Sequence, residues 1–250
     1  MATFNTKITL YDLPTALPHN QPVSPFTSVI RYALNYKQLP FTTFWSSNTT
    51  IEADAIAAGA SPTSTHPDTG KPRYTVPFIV DSTISTTSPV VVSDSLAIIQ
   101  YLDNTYPDPQ RPLLVGDSLA LHALAREKIA EFLDPISMPM VYHGVLEILQ
   151  PEEAKAVLRS RIPPKATKAD SPEGRALLDA SKNALSDLAR VMGEQRWFGG
   201  DRPVYEDFML LGYLNFVRHS RVDVWGILKT VEDGRFERMV GDGEKWARME

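Results

Sequence analysis

The chain has 250 residues, of which 43% are hydrophobic and 22% are charged, with a formal net charge of -5 and no cysteine. This composition is ordinary for a folded globular protein of one or two domains. The lack of cysteine excludes disulfides, thiolate metal sites and a cysteine nucleophile. The acidic balance argues against a nucleic-acid partner, which would need clustered Lys and Arg.

Targeting and metal signals are also missing from the sequence. The first residues have no basic segment followed by a long apolar run, and no stretch approaches about 18 apolar residues. We therefore expect neither export nor a membrane partner and assign the chain to the cytoplasm. The histidines show no metal-binding spacing, so no metal site is expected.

The first 107 residues alternate strand and helix patterns in the order βαβ and then ββα. The predicted strands are Lys7–Tyr11, Phe41–Trp45, Thr75–Val80 and Pro89–Val92. The predicted helices run from Ser24-Pro25 to about Tyr36, from Glu52 to Ala58 and from Ser93 to Tyr106. Segments 12–22 and 61–71 are expected to be loops. This order predicts an α/β, thioredoxin-like domain over residues 1–107.

After a linker over 107–117, residues 118–250 show only helical patterns and are expected to form an all-α domain. The predicted helices are Ser118–Leu133, Val141–Arg159, Glu173–Met192, Asp207–Arg218, Val224–Lys229 and Phe236–Val240. A proline-containing break is expected over 134–139.

Pro77 lies near the start of the third predicted strand, where it must begin the strand or adopt a cis peptide. In a thioredoxin-like fold, the residue before such a proline exposes its backbone to an extended peptide, which would make Val76 a binding residue. The alternative is that Pro77 only blunts a strand edge.

The run Ser93-Asp94-Ser95 directly precedes an amphipathic helix. The free N–H groups at a helix start attract carboxylates, so Ser95 would hold a ligand carboxylate and Asp94 a ligand ammonium. The alternative is an ordinary helix cap.

These residues resemble the glutathione site of soluble glutathione transferases. The likeness rests on Tyr74-Thr75-Val76-Pro77, Ser93-Asp94-Ser95, Ile98 with Tyr101-Leu102-Asp103, and Tyr106-Pro107. It implies glutathione as co-substrate, a second site for small aromatic or hydrophobic molecules, and a homodimer.

The N-terminal segment is similar to the fungal A-type (FuA) transferases of wood-degrading fungi, which are related to bacterial lignin β-etherases. The likeness is carried by the runs Ile8–Leu13, Val23–Thr27 and Arg31–Lys37. It places the glutathione sulfur near Ser24, whose hydroxyl would favour the thiolate; Ser24 is then a catalytic residue that stabilises the nucleophile. Alternatively Ser24 only caps the helix, with Thr27 and Ser28 as substitutes.

Further candidates are less specific. Lys71 and Arg73 are expected at the glycine end of glutathione, unless they are solvated surface charges. Residues expected at the hydrophobic substrate site, unless they belong to the core, are Phe26, Met138, Met140 and Tyr142. The sequence departs from the family around Ser24, where family members often have tryptophan, and at Val204, where the family has a capping Ser or Thr before Asp207.

Three functions remain open at this stage. The first is an enzyme that conjugates glutathione to hydrophobic or aromatic electrophiles or cleaves ethers, in detoxification of wood-derived compounds. The second is a ligandin-like protein that binds polyphenols and turns over little. The third is a regulatory protein without catalysis, against which Ser24 and the two complete motifs argue.

Overall fold

A mixed four-stranded sheet organises the N-terminal domain in the computed structural model, which describes residues 5–18, 21–67 and 69–249. Its strands are β1 (Ile8–Asp12), β2 (Phe41–Trp45), β5 (Phe78–Asp81) and β6 (Val90–Ser93), in the order β2-β1-β5-β6. β1 pairs with β2 in parallel and with β5 antiparallel, and β5 pairs antiparallel with β6. The predicted βαβ and ββα units therefore form one thioredoxin-like sheet.

Three helices accompany this sheet: α1 (Pro25–Lys37), α2 (Ile51–Ala58) and α3 (Ser95–Thr105). α1 begins with Ser24 as its cap and a proline at the first helical position, which suits that place because proline lacks the N–H. α3 buries Ile98, Ile99 and Leu102 against the core. The predicted helices of this domain are present, with ends shifted by at most two residues.

Two details of the N-terminal domain differ from the sequence-based expectations. The segment 61–71, expected as loop, contributes to a short hairpin of β3 (Ser64–Thr65) and β4 (Pro72–Arg73). The strand predicted to start at Thr75 starts at Phe78, because Pro77 follows a cis peptide bond and lies outside the ladder. The cis alternative was therefore the right one, and Val76 lies in a loop beside the sheet.

The C-terminal domain is entirely helical among the described residues. Its helices are α4 (Leu119–Ala130), α5 (Asp134–Ile136), a π-turn (Ser137–Val141), α6 (Tyr142–Ile148), α7 (Glu152–Arg159), α8 (Pro172–Met192), α9 (Tyr205–Ser220), α10 (Val222–Leu228), α11 (Val231–Gly243) and a final 3-10 turn (Glu244–Trp246). α9 is buried along most of its length and forms the centre of this domain. No helix in the described parts of the chain is long and apolar enough to cross a membrane.

Two predictions for the C-terminal domain were wrong. The expected break over 134–139 is helical, since α5 and the π-turn continue the chain from Asp134 to Val141. The single helix expected over 141–159 is divided into α6 and α7 at Gln150-Pro151, where the peptide bond is cis. Proline cannot donate the N–H that a continuous helix would need there.

The start of α9 is held without a capping hydroxyl. Val204 offers no oxygen, but the Asp207 carboxylate accepts the Val204 N–H at 2.9 Å and the Phe198 N–H at 2.8 Å. Half of the expected capping box is thus intact, and it joins the turn at 198–199 to the helix.

The two domains meet where α1 packs on α9. At Gly212 the helices approach so closely that an added Cβ would lie 2.6 Å from the Pro25 carbonyl oxygen. Only glycine fits this contact, and the contact fixes the N-terminal end of α1, directly beside Ser24.

We expect Gly212→Ala to lower the free energy of unfolding by about 1–3 kcal/mol, because the methyl group must push two backbones apart. The matched control is Gly226→Ala in α10, where a Cβ meets nothing within 4 Å. That change is expected to raise stability by about 0.5–1 kcal/mol, since alanine loses less backbone freedom than glycine. Urea unfolding measures both variants, and equal stability of the two would contradict the close approach.

Candidate active site

A cavity of about 680 Å³ opens between the sheet domain and the helical domain. Seven of the N-terminal residues predicted for the site line it: Ser24, Phe26, Arg73, Val76, Pro77, Asp94 and Ser95. The volume lies within the range of small-molecule binding sites, about 300–1,000 Å³. Residues that are separated by up to 71 positions in the chain therefore share one cleft.

Ser24, the cap residue of α1, lines this cavity. Its Oγ is 3.4 Å from the Thr27 N–H and accepts a weak cap bond from it. The hydroxyls of Thr27 and Ser28 both donate to the Ser24 carbonyl, at 3.1 and 2.9 Å, and both residues are buried. The two predicted substitutes are therefore engaged elsewhere, and the Ser24 proton is left for a ligand.

The Val76-Pro77 segment forms the wall of the cavity opposite the helical domain. Its cis peptide and its place just before β5 leave the main chain of Val76 beside the cavity rather than inside the sheet. Extended ligands pair with exposed main chain of this kind by adding a short strand. Thr75 and Tyr74 continue the same wall.

Asp94 and Ser95 begin α3 at the floor of the cavity. Asp94 has a φ of 79°, a left-handed conformation that normally favours glycine and costs about 1–3 kcal/mol in other residues. Its Oδ1 caps the helix by accepting the N–H groups of Leu96 at 3.0 Å and Ala97 at 3.3 Å. Ser95 is buried and is the first residue of the helix, where main-chain N–H groups have no partner within the helix. The helix cap expected as the alternative is therefore present, and it uses only Oδ1 of the Asp94 carboxylate.

Three residues expected at the hydrophobic substrate site do not line this cavity. Met140 is fully buried in the core, and Met138 and Tyr142 also lie outside the lining. Tyr142 instead packs edge-on against Phe216, with ring centroids 5.3 Å apart. Within the π-turn over 137–141, Met140 and Val141 are buried in the helical core, whereas Met138 is exposed. Of the four predicted residues, only Phe26 is at the cavity, and Lys71 is likewise outside it.

The helical domain contributes residues that the sequence did not single out. They come from α4, from the end of α7 and from α9: Arg126, Glu127, Ala130, Val157, Arg161 and Tyr213. Tyr213 meets Phe26 edge to face with ring centroids 5.9 Å apart. Burial raises the pKa of Tyr213, so its hydroxyl stays protonated at neutral pH. In the sequence, only the four-residue spacing of Arg126 with Ala130 and of Val157 with Arg161 indicated that these residues could share one side of a helix.

A buried tyrosine links the floor of the cavity to α4. Burial raises the pKa of Tyr205 to about 12, while the nearby Arg126 guanidinium opposes that rise. The Ser95 hydroxyl lies beside the Tyr205 hydroxyl. Arg126 is therefore close to the Asp94–Ser95 end of the cavity. Within residues 5–18, 21–67 and 69–249, no group of three acidic or histidine side chains could hold a metal ion.

Comparison with known proteins decides the family. The model of the glutathione S-transferase N-terminal domain matches residues 19–110, and that of the C-terminal domain matches residues 120–246. The chain belongs to the glutathione S-transferase family. The fold of this transferase, a thioredoxin-like domain followed by a helical domain, is thereby confirmed.

Fungal glutathione transferases are similar to this chain over nearly its whole length. A glutathione S-transferase of Ceriporiopsis subvermispora, crystallised in complex with glutathione, superposes with a TM-score of 0.81 at 27% identity and covers 96% of this chain and 97% of its own. Glutathione transferase GSTFuA3 of Phanerochaete chrysosporium gives a TM-score of 0.81 at 25% identity, with coverage of 96% and 97%. The resemblance to the fungal A-type class is therefore confirmed.

A curated relative supports the same family. The glutathione S-transferase-like protein ustS of Aspergillus flavus is 27% identical over 234 residues, which cover 87% of this chain and 82% of the relative.

Proposed function

We propose that this transferase binds glutathione in the cavity between its domains and that Ser24 stabilises the glutathione thiolate for attack on aromatic or hydrophobic electrophiles. The observation that carries the proposal is that Ser24, Val76, Asp94 and Ser95 line one cavity. Each supplies the group that one part of the tripeptide requires. The glutathione complex of the Ceriporiopsis relative supports the choice of ligand.

The three parts of glutathione match three regions of the cavity. The γ-glutamyl end is a carboxylate and an ammonium, which suit the N-terminus of α3 with Ser95 and the free oxygen of Asp94. The cysteinyl main chain pairs with Val76 beside the cis Pro77. The glycine carboxylate faces Arg73, which lines the cavity and is half-buried.

Ser24 then meets the cysteinyl sulfur at the start of α1. A free thiol has a pKa of about 8.5, so little thiolate exists at neutral pH. A hydroxyl that donates to sulfur, together with the partial positive charge of a helix N-terminus, favours the thiolate. The thiolate attacks the electrophile, a carbon–sulfur bond forms, the leaving group departs with its electrons, and the thiol proton passes to solvent.

We also propose a role for each domain and for the protein in the cell. Residues 1–107 form the glutathione-binding domain and residues 118–250 the domain that completes the electrophile site. The protein acts in the cytoplasm as a homodimer and detoxifies wood-derived compounds, with β-etherase-like cleavage among its reactions.

One observation also suits the ligandin alternative. Phe26, with 37% of its surface exposed, and Tyr213 form an aromatic wall in the cavity. Such a wall would stack on a polyphenol whether or not a reaction follows. A panel of electrophiles and polyphenols, assayed for turnover and for displacement of a fluorescent apolar dye, separates the two functions. Turnover of electrophiles supports the enzyme, whereas displacement without turnover supports the ligandin.

Ser95→Ala is expected to weaken glutathione binding roughly tenfold, because a buried hydrogen bond to a charged carboxylate is lost. Isothermal titration calorimetry measures the affinity. The control is Ser88→Ala, an exposed serine in the turn between β5 and β6, which should bind glutathione as the wild type does. Unchanged affinity in the Ser95 variant would remove Ser95 from the binding site.

A further inference from the structure

Several lysine and arginine side chains on the helices around the cavity form ion pairs with neighbouring glutamates. On α7, Lys155 and Arg159 both point to Glu152, at 2.6 and 3.9 Å. On α4, Lys128 pairs with Glu131. These are local ion pairs, and the side chains of Arg159 and Lys128 are exposed.

Three arginines that line the cavity have no such partners. Arg126 and Arg161 line the cavity, and in the part of the chain that the structure describes their side chains make neither a hydrogen bond nor an ion pair. The same holds for the side chain of Arg73. Glu52 and Glu127 also line the cavity and are exposed, as Arg161 is, but neither forms an ion pair with these arginines. The cavity therefore presents three unpaired guanidinium groups.

Glutathione has carboxylates for only two of them. Arg126 lies beside Tyr205 and Ser95, at the end proposed for the γ-glutamyl group. Arg73, on β4, is proposed for the glycine end. Arg161 remains. It lies two residues beyond α7, where its N–H bonds to the Leu158 carbonyl at 3.0 Å, and it lines the cavity together with Val157.

Apolar and aromatic residues share the cavity with Arg161. They are Leu13, Phe26, Ala130, Val157 and Tyr213. The guanidinium also acts on the buried Tyr142, whose pKa is raised by burial while Arg73 and Arg161 oppose the rise. A cavity that combines the aromatic side chains of Phe26 and Tyr213 with a guanidinium that glutathione does not require is complementary to an aromatic ring that bears an anion. A planar carboxylate fits best, because a guanidinium binds it with two parallel hydrogen bonds.

We propose that the preferred second substrate is an aromatic electrophile that carries a carboxylate, and that Arg161 binds this carboxylate. The inference rests on the proposed function, because it assigns the part of the cavity that glutathione leaves free. With 4-(chloromethyl)benzoate, the thiolate sulfur attacks the benzylic carbon, the carbon–sulfur bond forms, the carbon–chlorine bond breaks and chloride leaves. The carboxylate takes no part in the bond changes and serves only to position the ring.

Calorimetry with two product conjugates tests the inference without relying on turnover. The probes are S-(4-carboxybenzyl)glutathione and S-benzylglutathione, which differ only in the carboxylate. The wild type should bind the carboxylated conjugate roughly tenfold more tightly, and Arg161→Gln should erase this difference while keeping its affinity for S-benzylglutathione. Arg159→Gln, which removes an exposed cation outside the cavity, should keep the difference. Equal wild-type affinities, or a preference that persists in Arg161→Gln, would overturn the inference.

Turnover of 4-(chloromethyl)benzoate and its methyl ester separates this inference from the proposed function. If both are conjugated with equal kcat/KM, the transferase activity stands and the role of Arg161 is lost. If neither is conjugated although both glutathione conjugates bind, the catalytic proposal fails while the calorimetric preference still decides the role of Arg161.

Discussion

Ser24→Ala is expected to lower the rate of glutathione conjugation at neutral pH roughly 10- to 100-fold, because the bound thiol loses the hydroxyl that stabilises its thiolate. Glutathione affinity should change much less, since Val76, Asp94 and Ser95 hold the rest of the tripeptide. Steady-state kinetics with a chlorinated aromatic electrophile, measured from about pH 6 to pH 9, provides the test. The rate deficit should shrink as pH rises, because glutathione then ionises without help.

The cap role of Ser24 must be separated from its role at the sulfur. Its Oγ also accepts the Thr27 N–H, so alanine removes a helix cap and costs about 1 kcal/mol of stability. Ser24→Thr keeps both the hydroxyl and the cap and should retain most of the rate. Ser24→Asp keeps a capping oxygen without a donor and should be at least as slow as alanine. A pH profile of Ser24→Ala that coincides with that of the wild type would leave Ser24 as a cap only.

The glutathione side of the cavity could be predicted because its signals are local. Ser24-Pro25, Val76-Pro77 and Asp94-Ser95 each combine a capping or turn residue with the start of one element. Elements that start at the same edge of a sheet place their first residues together. From the residues alone, each motif left a strand edge or an ordinary helix cap as an alternative, and the resemblance to glutathione transferases favoured a shared site.

The side of the cavity contributed by the helical domain was not predictable in the same way. Arg126 and Tyr213 look like ordinary helix residues, and only the packing of α4 and α9 decides that they face the cleft. Met140 illustrates the opposite error, since a polarizable residue near a helix bend was expected at the ligand and is turned into the core by the π-turn. Long-range packing decides which face of each helix lines the cavity, and a single sequence does not show that packing.

The sequence contained a signal against the single helix predicted over 141–159. Apolar periodicity continues across 141–159, and this favoured a single helix there. Pro151 sits inside that range, and an interior proline removes a helix hydrogen bond. The structure divides the segment at that residue, so the proline signal outweighs the periodicity. The division matters for function, because it sets α7 as a separate element whose end carries Val157 and Arg161 into the cavity.

A buried ion pair fixes α1, and with it Ser24, to the sheet. The Arg31 guanidinium lies 3.1 Å from the Asp12 carboxylate, and the two side chains are 1% and 0% exposed. Arg31 also donates to the Thr43 hydroxyl at 3.2 Å and to the Met249 carbonyl at 3.2 Å. One side chain therefore joins α1 to β1, β2 and the C-terminal segment.

Arg31→Met is expected to lower the free energy of unfolding by about 3–5 kcal/mol, because it leaves the Asp12 carboxylate buried without a cation. Asp12→Asn combined with Arg31→Met should recover most of that loss, since no buried charge remains. Lys182→Met, which removes the cation of the exposed pair with Asp179, should change stability by about 0.5 kcal/mol or less. Urea unfolding of the three variants measures these differences.

The loss of unfolding free energy in Arg31→Met should grow as pH rises. Burial raises the pKa of Asp12 above its usual value of about 3.9, and Arg31 opposes that rise, so removing Arg31 raises the pKa further. A carboxyl whose pKa is higher in the folded state binds protons more readily there, and stability falls as pH rises through that range. The deficit should therefore be largest near pH 8 and shrink toward pH 5, where protonation of Asp12 removes the buried charge. A deficit that stays constant between about pH 5 and pH 8 would show that the lost contacts to Thr43 and Met249, rather than the unpaired carboxylate, account for the destabilisation.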